Sequence, residues 1–349
     1  MATKSTDQTP ATIEDVALIA GVSIKTVSRV VNHEPNVRDS TRENVQQAIA
    51  QLNYRPNTAA RRLAGHRSYL FALLYDDPSA YPNASASYVT NLQGGALQVA
   101  REQGYDLLIH PWDYRDPLVA EEIRRLIEQS NIDGLLLAPP LAELRSITTM
   151  LRSMGKAVVR ISPGRTRRAD GVTTNDREIS AEMTRYLASL GHRRIVYLRG
   201  HPDHRAMGGR EQGFLDGMTQ SELPVTKSSL QQGDNSFDSG VACARKLLKW
   251  RQPPTAIFAA NDDMAAGVLQ VAQEFDIDVP TQLSVAGFDD TPLSRQVWPP
   301  LTTINQPIFE MGKAAATLLF QQISGQHSSQ GIRVDSTLVV RRSTGPAPS

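Results

Sequence analysis

TIEDVALIAGVSIKTVSRVVNHEPNVRDSTRENVQQAIAQLNYRPNTAARRL, residues 12–63, decides how the rest of this 349-residue chain is read. Thr12 is placed to N-cap a helix, and Asp15, three residues on, completes a capping box. Val16, Ala17 and Ala20 give that helix an apolar face. Gly21 follows, where a sharp turn asks for a residue without Cβ. Ser23 is placed to cap a second helix reaching roughly Asn32, with Val27, Val30 and Val31 inward. Ile24, Lys25, Ser28, Arg29 and Asn32 fall on its opposite face. A third helix is expected from Ser40, with Glu43 in capping-box position and Val45, Ala48, Ile49 and Leu52 at helical spacing.

Two short helices joined at a glycine, closed by a third, make a helix-turn-helix. The second helix of such a motif presents its first turn to a major groove. The residue types suit base reading. Arg and Lys bond guanine edges, Asn bonds adenine, and Ile touches a thymine methyl. Pro56 disfavours helix at Arg55 but suits a first helical turn. Residues 57–64 then make one or two turns carrying Arg61, Arg62 and Leu63. So short a helix is unstable alone in water and needs DNA or a second copy to hold it.

The segments DVALIAGVS, TVSRVVN, LNYRPN and RRLAG, in this order, resemble the LacI/GalR family of bacterial repressors. The resemblance implies base contacts by Ile24, Lys25 and Arg29. Ser23, Thr26 and Ser28 are left between helix capping and phosphate contact, and Asn32 completes the reading face. It further implies that Leu63 wedges into the minor groove at the operator centre, with Asn57 and Ala60 approaching the same groove. Two such hinge helices lie side by side, so a homodimer on a palindromic operator is expected.

Residues 1–68 hold nine Lys/Arg against six Asp/Glu, a net +3 inside a chain of net +1. That sign suits an N-terminal unit facing nucleic acid. Cys243 is the only cysteine, so no intrachain disulfide forms and a reducing compartment fits. The N-terminus MATKSTDQTP lacks an apolar signal core, and no apolar run is long enough to span a membrane. A cytoplasmic location is therefore expected.

From Tyr69 onward, apolar strands alternate with amphipathic helices. Strands are expected at 69–75, 105–110, 132–140, 157–162, 194–200, 256–262 and 283–290, with VDSTLVVRR as the last. Helices are expected near 89–103, 118–129, 141–154, 177–190, 207–219, 238–250, 263–275 and 308–323. Nearly continuous apolar strands between helices imply parallel sheets covered on both faces. The fold class is therefore an all-α helix-turn-helix DNA-binding domain plus an α/β two-lobe effector domain of two doubly wound parallel sheets. By the family resemblance the latter is like a periplasmic binding protein. The expected division is a disordered 1–10, a DNA-binding domain 11–55, a hinge helix 56–66, an effector-binding and dimerisation domain 67–343 and a disordered tail 344–349. Lobe crossings are placed near 171, 302 and 332. The N-lobe then holds 67–171 and 303–331, and the C-lobe 172–302 and 332–343.

Ligands of doubly wound sheets bind beyond the carboxyl ends of the strands. Several strands here end in polar residues, among them Asp76, Asn261 and Asp289. The family resemblance implies that Arg210, in RxxGF, and Asp289, in GFDD, bond an effector between the lobes. A guanidinium fork grips paired hydroxyls or a carboxylate; the alternative is a surface arginine. Asp290 is read as structural. Asn261 is left between facing the ligand and capping, and Asp262 between cleft and helix cap. Asp76, Tyr88, Asp176 and Gln306 are further candidates, with capping the equal alternative for Asp176. Phe237 is placed as an apolar wall, or else plain core. Two departures from the family pattern stand out. The loop 76–87 is long and rich in Ser and Ala, and Asn235 stands where some members carry an aromatic.

The pattern predicts a ligand-controlled regulator and no enzyme. There is no nucleophile elbow, no phosphate-binding glycine loop and no metal-ligand spacing, and the two histidines of LRGHPDHR are poorly placed for zinc. No cofactor is expected. An extracytoplasmic solute-binding protein fits poorly with residues 12–63 attached. The expected effector is a sugar or small glycoside, with a purine or nucleoside as the alternative, acting on a repressor of catabolic genes. The chain has no long C-terminal heptad helix, so a dimer is expected rather than a tetramer.

Overall fold

A computed structural model describes residues 11–31, 37–54, 67–76, 87–164, 171–205, 207–326 and 330–348. The expectations for residues 1–10, the hinge 56–66, and Asn32, Asn57, Ala60 and Leu63 lie outside these. The chain divides into two compact units at Ser68/Tyr69.

In the first unit, helix α1 is Ile13–Ala20, α2 is Ile24–Val31 and α3 is Asp39–Leu52. The Thr12–Asp15 capping box is made: Thr12 N–H donates to Asp15 Oδ2 at 2.8 Å and Asp15 N–H to Thr12 Oγ1 at 3.3 Å. Gly21 ends α1 at φ +64°, in the left-handed region. The expected Ser40–Glu43 box is not made. Arg42 N–H already bonds the Arg38 carbonyl, so Ser40 lies inside α3 and its backbone is no longer a cap. Val16, Ala17, Val27, Val30, Val45 and Ala48 join the three helices in one small core.

The second unit alternates strands and helices. Its strands are β1 Leu70–Asp76, β2 Asp106–Trp112, β3 Gly134–Leu137, β4 Ala157–Ile161, β5 Gly171–Thr173, β6 Ile195–Arg199, β7 Leu230–Gln232, β8 Ala256–Ala259, β9 Ser284–Ala286, β10 Thr303–Asn305, β11 Ile332–Arg333 and β12 Thr337–Val339. Its helices are α4 Ser87–Gln103, α5 Val119–Ser130, α6 Arg145–Ser153, α7 Asp176–Ser189, α8 Met207–Gln220, α9 Phe237–Leu247, α10 Asp262–Glu274, α11 Leu293–Gln296 and α12 Ile308–Ile323. One parallel sheet runs β11-β5-β4-β3-β1-β2 and the other β7-β6-β8-β9, while β10 pairs antiparallel with β12. Phe71 to Leu74 and Leu135 to Leu137 are fully buried, as strands covered on both faces must be. Separate apolar clusters line the two faces of the first sheet, and a third surrounds the second sheet.

Strands β5 and β11 belong to the first sheet, whereas β10 bridges to the segment after β9 in the second lobe. The chain therefore passes between lobes after Thr173, after Asn305 and after Arg333, a few residues beyond the expected 171, 302 and 332. Helices α7 and α8 approach closely because Gly213 has no side chain. A Cβ there would lie 2.2 Å from the Arg177 carbonyl oxygen. This contact fixes α8, and with it Arg210 one turn earlier, against the start of α7.

The expectation of a disordered tail is corrected as far as residue 348. Val285 N–H donates to the Ser343 carbonyl at 2.8 Å, and Thr302 N–H to Ser343 Oγ at 2.8 Å. Gly345 N–H reaches Ser284 Oγ at 3.1 Å, and Ala347 N–H the Leu190 carbonyl at 2.8 Å. The physical reason is a fully buried histidine. His192 shares hydrogen bonds with Thr255 Oγ1, Ser284 Oγ and the Gly345 carbonyl, at 3.0, 2.9 and 3.1 Å. Polar groups so buried need partners, and the tail supplies them. Deleting residues 343–349 is expected to lower the unfolding free energy by roughly 2–4 kcal/mol, from lost bonds and orphaned groups. Urea denaturation measures it, and an unshifted midpoint contradicts the docking role.

Candidate ligand cavity and nucleic-acid interface

A cavity of about 180 Å³ opens at the carboxyl ends of the two parallel sheets. Tyr75 and Asp76 from the end of β1, Tyr88 from α4, Pro139 after β3 and Ser162 after β4 line it from the first lobe. His201 and His204 after β6, Arg210 in α8, Asp234 to Ser236, Asn261, Asp263 and Asp289 line it from the second. Asp176 and Gln306 enter from the first two segments crossing between lobes.

Arg210 is the centre of this site. It is only 4% exposed, and a buried guanidinium must find partners for its donors. Its Nε donates to Asp176 Oδ2 at 3.3 Å, Nη1 to the Ala260 carbonyl at 2.5 Å and Nη2 to Gln306 Oε1 at 3.2 Å. Nη2 also lies 3.1 Å from Asp289 Oδ1. The guanidinium stacks on Phe288, 3.6 Å from the ring centroid. Burial disfavours the charge, yet Asp289 and Asp176 outweigh it and hold the arginine pKa above its ordinary value.

Asp289 is held by an unusual backbone. Its φ is +107°, and that of Asp290 is +54°. Such conformations cost about 1–3 kcal/mol and persist only where neighbours fix them. Asp289 N–H bonds the Ile304 carbonyl at 2.8 Å. Asp290 accepts from Ser294 Oγ at 2.8 Å, Asn305 Nδ2 at 3.0 Å and Arg341 Nη2 at 2.6 Å, a structural role as read from the sequence. Burial pushes the Asp289 carboxyl up to about 7, against the pull of Arg210. Burial likewise raises Asp263 to about 6. The Tyr88 hydroxyl is pushed up by burial and stays a neutral donor.

Of the eight residues proposed from sequence, Asp76, Tyr88, Asp176, Arg210, Asn261, Asp289 and Gln306 come together around this cavity. Phe237 does not. It opens α9 behind its N-cap Ser236, and the left-handed Asn235 turns Asn235 and Ser236 to the cavity in its place. Asn261 takes both roles left open for it: its Oδ1 caps α10 by accepting Met264 N–H at 3.1 Å, and it lines the cavity. Asp262 neither caps nor lines. It is fully buried and accepts from Thr291 N–H at 2.8 Å and Thr303 Oγ1 at 2.6 Å. His201, His204, Asp234, Asn235 and Asp263 had no role in the sequence-derived set. They sit just past strand or cap positions, and that position was the signal. Among the described residues no group of three or more His, Cys, Asp or Glu is placed to hold a metal ion.

In the first unit, Ser23 Oγ accepts Thr26 N–H at 3.2 Å and lies 2.9 Å from Thr26 Oγ1, so these two cap α2. Ile24 is 47% exposed, Lys25 and Arg29 are exposed, and Thr26 and Ser28 are half-buried. Val27 and Val30 face the core. The surface of α2 therefore joins an apolar group to two cations, the chemistry that reads base edges.

A three-helix reader and a two-lobe unit with a cavity at its strand ends define a ligand-responsive transcriptional regulator. Residues 12–57 match the model for bacterial regulatory proteins of the lacI family, and residues 184–344 that for a periplasmic binding protein-like domain. The chain is 34% identical to the HTH-type transcriptional regulator DegA of Bacillus subtilis (strain 168), over 96% of this chain and 98% of the relative. Among solved structures it resembles the Lac repressor dimer bound to operator and the anti-inducer ONPF, with TM-score 0.75, 27% identity and coverage of 97% and 100%. It also resembles the transcriptional regulator CelR–cellobiose complex, with TM-score 0.72, 29% identity and coverage of 95% and 99%. The chain belongs to the lacI family of bacterial regulatory proteins, and it is a transcriptional regulator. Among the described residues no helix is long and apolar enough to cross a membrane.

The buried acids set a pH dependence. Burial, then the charge of Asp289, raises Asp262 to about 8 from an ordinary 3.8. Between about pH 4 and 8 the folded chain thus holds a proton that the unfolded chain has lost, so stability falls as pH rises through that window. Asp262→Asn is neutral throughout. Its stability should fall less between pH 5 and 8 than the wild type's, by up to about 1.4 kcal/mol per pH unit. Urea titrations at both pH values check this, and parallel losses would contradict it.

Proposed function

We propose that this regulator binds a palindromic operator as a homodimer and that a neutral sugar or small glycoside in the cavity sets its operator affinity. In this reading residues 11–55 read the major groove, 56–66 form the hinge and 67–343 bind effector and pair the protomers. It acts by binding rather than catalysis, in the cytoplasm beside the DNA, as a repressor of catabolic genes. Arg29, Lys25 and Ile24 contact bases, with Ser23, Thr26, Ser28 and Asn32 around them. Asn57, Ala60 and Leu63 engage the minor groove at the operator centre.

The observation that carries the effector class is the charge balance of the cavity. Five aspartates, Asp76, Asp176, Asp234, Asp263 and Asp289, line it with one arginine. That arginine is already engaged by Asp176, Asp289, Ala260 and Gln306. Such a lining accepts hydroxyl donors and repels anions, which favours a neutral polyol over a sugar phosphate or nucleotide. The cellobiose complex of CelR agrees in ligand class. A thermal-shift panel of neutral mono- and disaccharides, adenosine and glucose 6-phosphate tests it. A neutral sugar at a hundred times its Kd should stabilise the chain by about 2.7 kcal/mol. Stabilisation by adenosine or the phosphate alone would overturn the assignment.

Linkage supplies the mechanism. An effector alters DNA affinity only by its preference for one arrangement of the lobes over another. Arg210 bonds groups on the first two lobe-crossing segments, so a ligand that engages it acts where the lobes move. Arg210→Ala should weaken effector binding roughly a hundredfold while operator binding persists. Calorimetry and gel shift read the two halves, and normal effector affinity would refute the role. Arg29→Ala should lose about ten- to a hundredfold in discrimination between operator and random DNA, with little change on random DNA. Equal losses on both would count against base reading.

A further inference from the structure

The loop that follows β6, residues 200–205, touches the opposite lobe three times in succession. Tyr114 Oη donates to Asp203 Oδ2 at 2.8 Å. His204 Nε2 stands 3.7 Å from Asp76 Oδ2. Arg205 Nε lies 3.9 Å from Glu143 Oε2. Tyr114, Asp76 and Glu143 belong to the first lobe, and the loop to the second. The Tyr114 ring also meets the His204 ring edge-on, at 6.4 Å between centroids. The Tyr114–Asp203 hydrogen bond and the Tyr114–His204 ring contact thus hold His204 beside Asp76 at the cavity wall.

The middle contact is unlike its Tyr114 neighbour. At 3.7 Å it is too long for a hydrogen bond. His204 Nε2 and Asp76 Oδ1 are both buried without a hydrogen-bond partner. The Asp76 side chain is only 9% exposed and the His204 side chain 20%. Orphaned polar atoms this deep are costly, and both residues line the cavity. A carboxylate oxygen accepts and a ring N–H donates. The group that satisfies both at once is a hydroxyl, which donates one hydrogen bond and accepts another. An amine cannot accept from His204 while charged, and a carboxylate cannot donate to Asp76.

Resting on the neutral-polyol reading above, we infer that Asp76 and His204 form a cross-lobe subsite that reads one hydroxyl of the effector, separate from the Arg210 cluster. The ligand hydroxyl donates to Asp76 and accepts from His204 Nε2. It converts a long, unsatisfied pair into a bridge between the lobes. His204 is thereby a specificity-determining residue and the ligand itself completes the strap.

The test uses the full chain and calorimetry. Glucose, galactose, ribose and cellobiose are titrated first, and the tightest of them is then compared with its monodeoxy analogues. For the wild type, one analogue should bind about tenfold or more weaker than its parent sugar, the loss set by a hydrogen bond to a charged group. In His204→Ala that difference should shrink to about threefold, because only the Asp76 half of the bridge remains. His204→Gln, whose amide can still donate, should restore part of it. Thermal melts of both variants report folding, and a merely structural histidine would weaken every analogue alike. Equal losses for parent and all analogues in His204→Ala overturn the subsite while leaving the polyol reading intact. Failure of all four sugars to bind the wild type overturns the polyol reading and the subsite with it.

Discussion

The constraint on which the second unit depends is the burial of one guanidinium. Arg210 has almost no access to water, so its donors must be met from the protein. The partners come from distant parts of the chain: Asp176 after the first lobe crossing, Ala260 past β8, Gln306 after the second crossing and Asp289 past β9. The close approach of α7 and α8 at Gly213 and the positive φ of Asp289 bring these partners to it. The crossings and the cavity floor are therefore one electrostatic unit, and a ligand that bonds any of these groups perturbs the connections between lobes.

The acidic surplus of the cavity follows from the same arrangement. Doubly wound sheets expose their strand ends, and loops leaving those ends carry the polar side chains. Two such sets meet here, and they bring five aspartates against one arginine. Burial then holds Asp289 and Asp263 near neutrality, at about 7 and about 6. Asp76 Oδ1, His204 Nε2 and Asn235 Oδ1 remain without well-formed hydrogen bonds inside the protein. In the proposed function, a polyol supplies the hydroxyls these atoms lack.

Much of this is legible in the sequence, for identifiable reasons. Long amphipathic helices announce their period, so α4, α7, α8 and α12 begin and end close to the expected residues. The strands β5, β7 and β11, of two or three residues each, are too short to carry a period and escape such a reading. Thr12 and Gly21 are readable because caps depend on local chemistry. Ser40 misleads because a capping box in sequence does not say which residue first becomes helical. Arg210 and Asp289 emerge through family motifs. His201 and His204 are visible in LRGHPDHR just past the strand expected at 194–200, but their spacing raises only the question of metal binding; the fold alone reveals that they face Asp76. Phe237 is misplaced at a helix start, where the left-handed backbone of Asn235 decides which side chain faces inward. The tail after Ser343 looks polar and terminal; its bonds to Val285, Thr302, Ser284, His192 and Leu190 are long-range and leave no local signal.

Two units are joined through a single thermodynamic link, so the central claim is a coupling free energy. The most direct measurement is the affinity of the effector with and without saturating operator DNA, set beside the operator affinity with and without saturating effector. In the proposed function, coupling between cavity and reader predicts that both ratios differ from unity by one and the same factor. Effector affinity unchanged by operator would contradict it, for the cavity and the reader would then be independent.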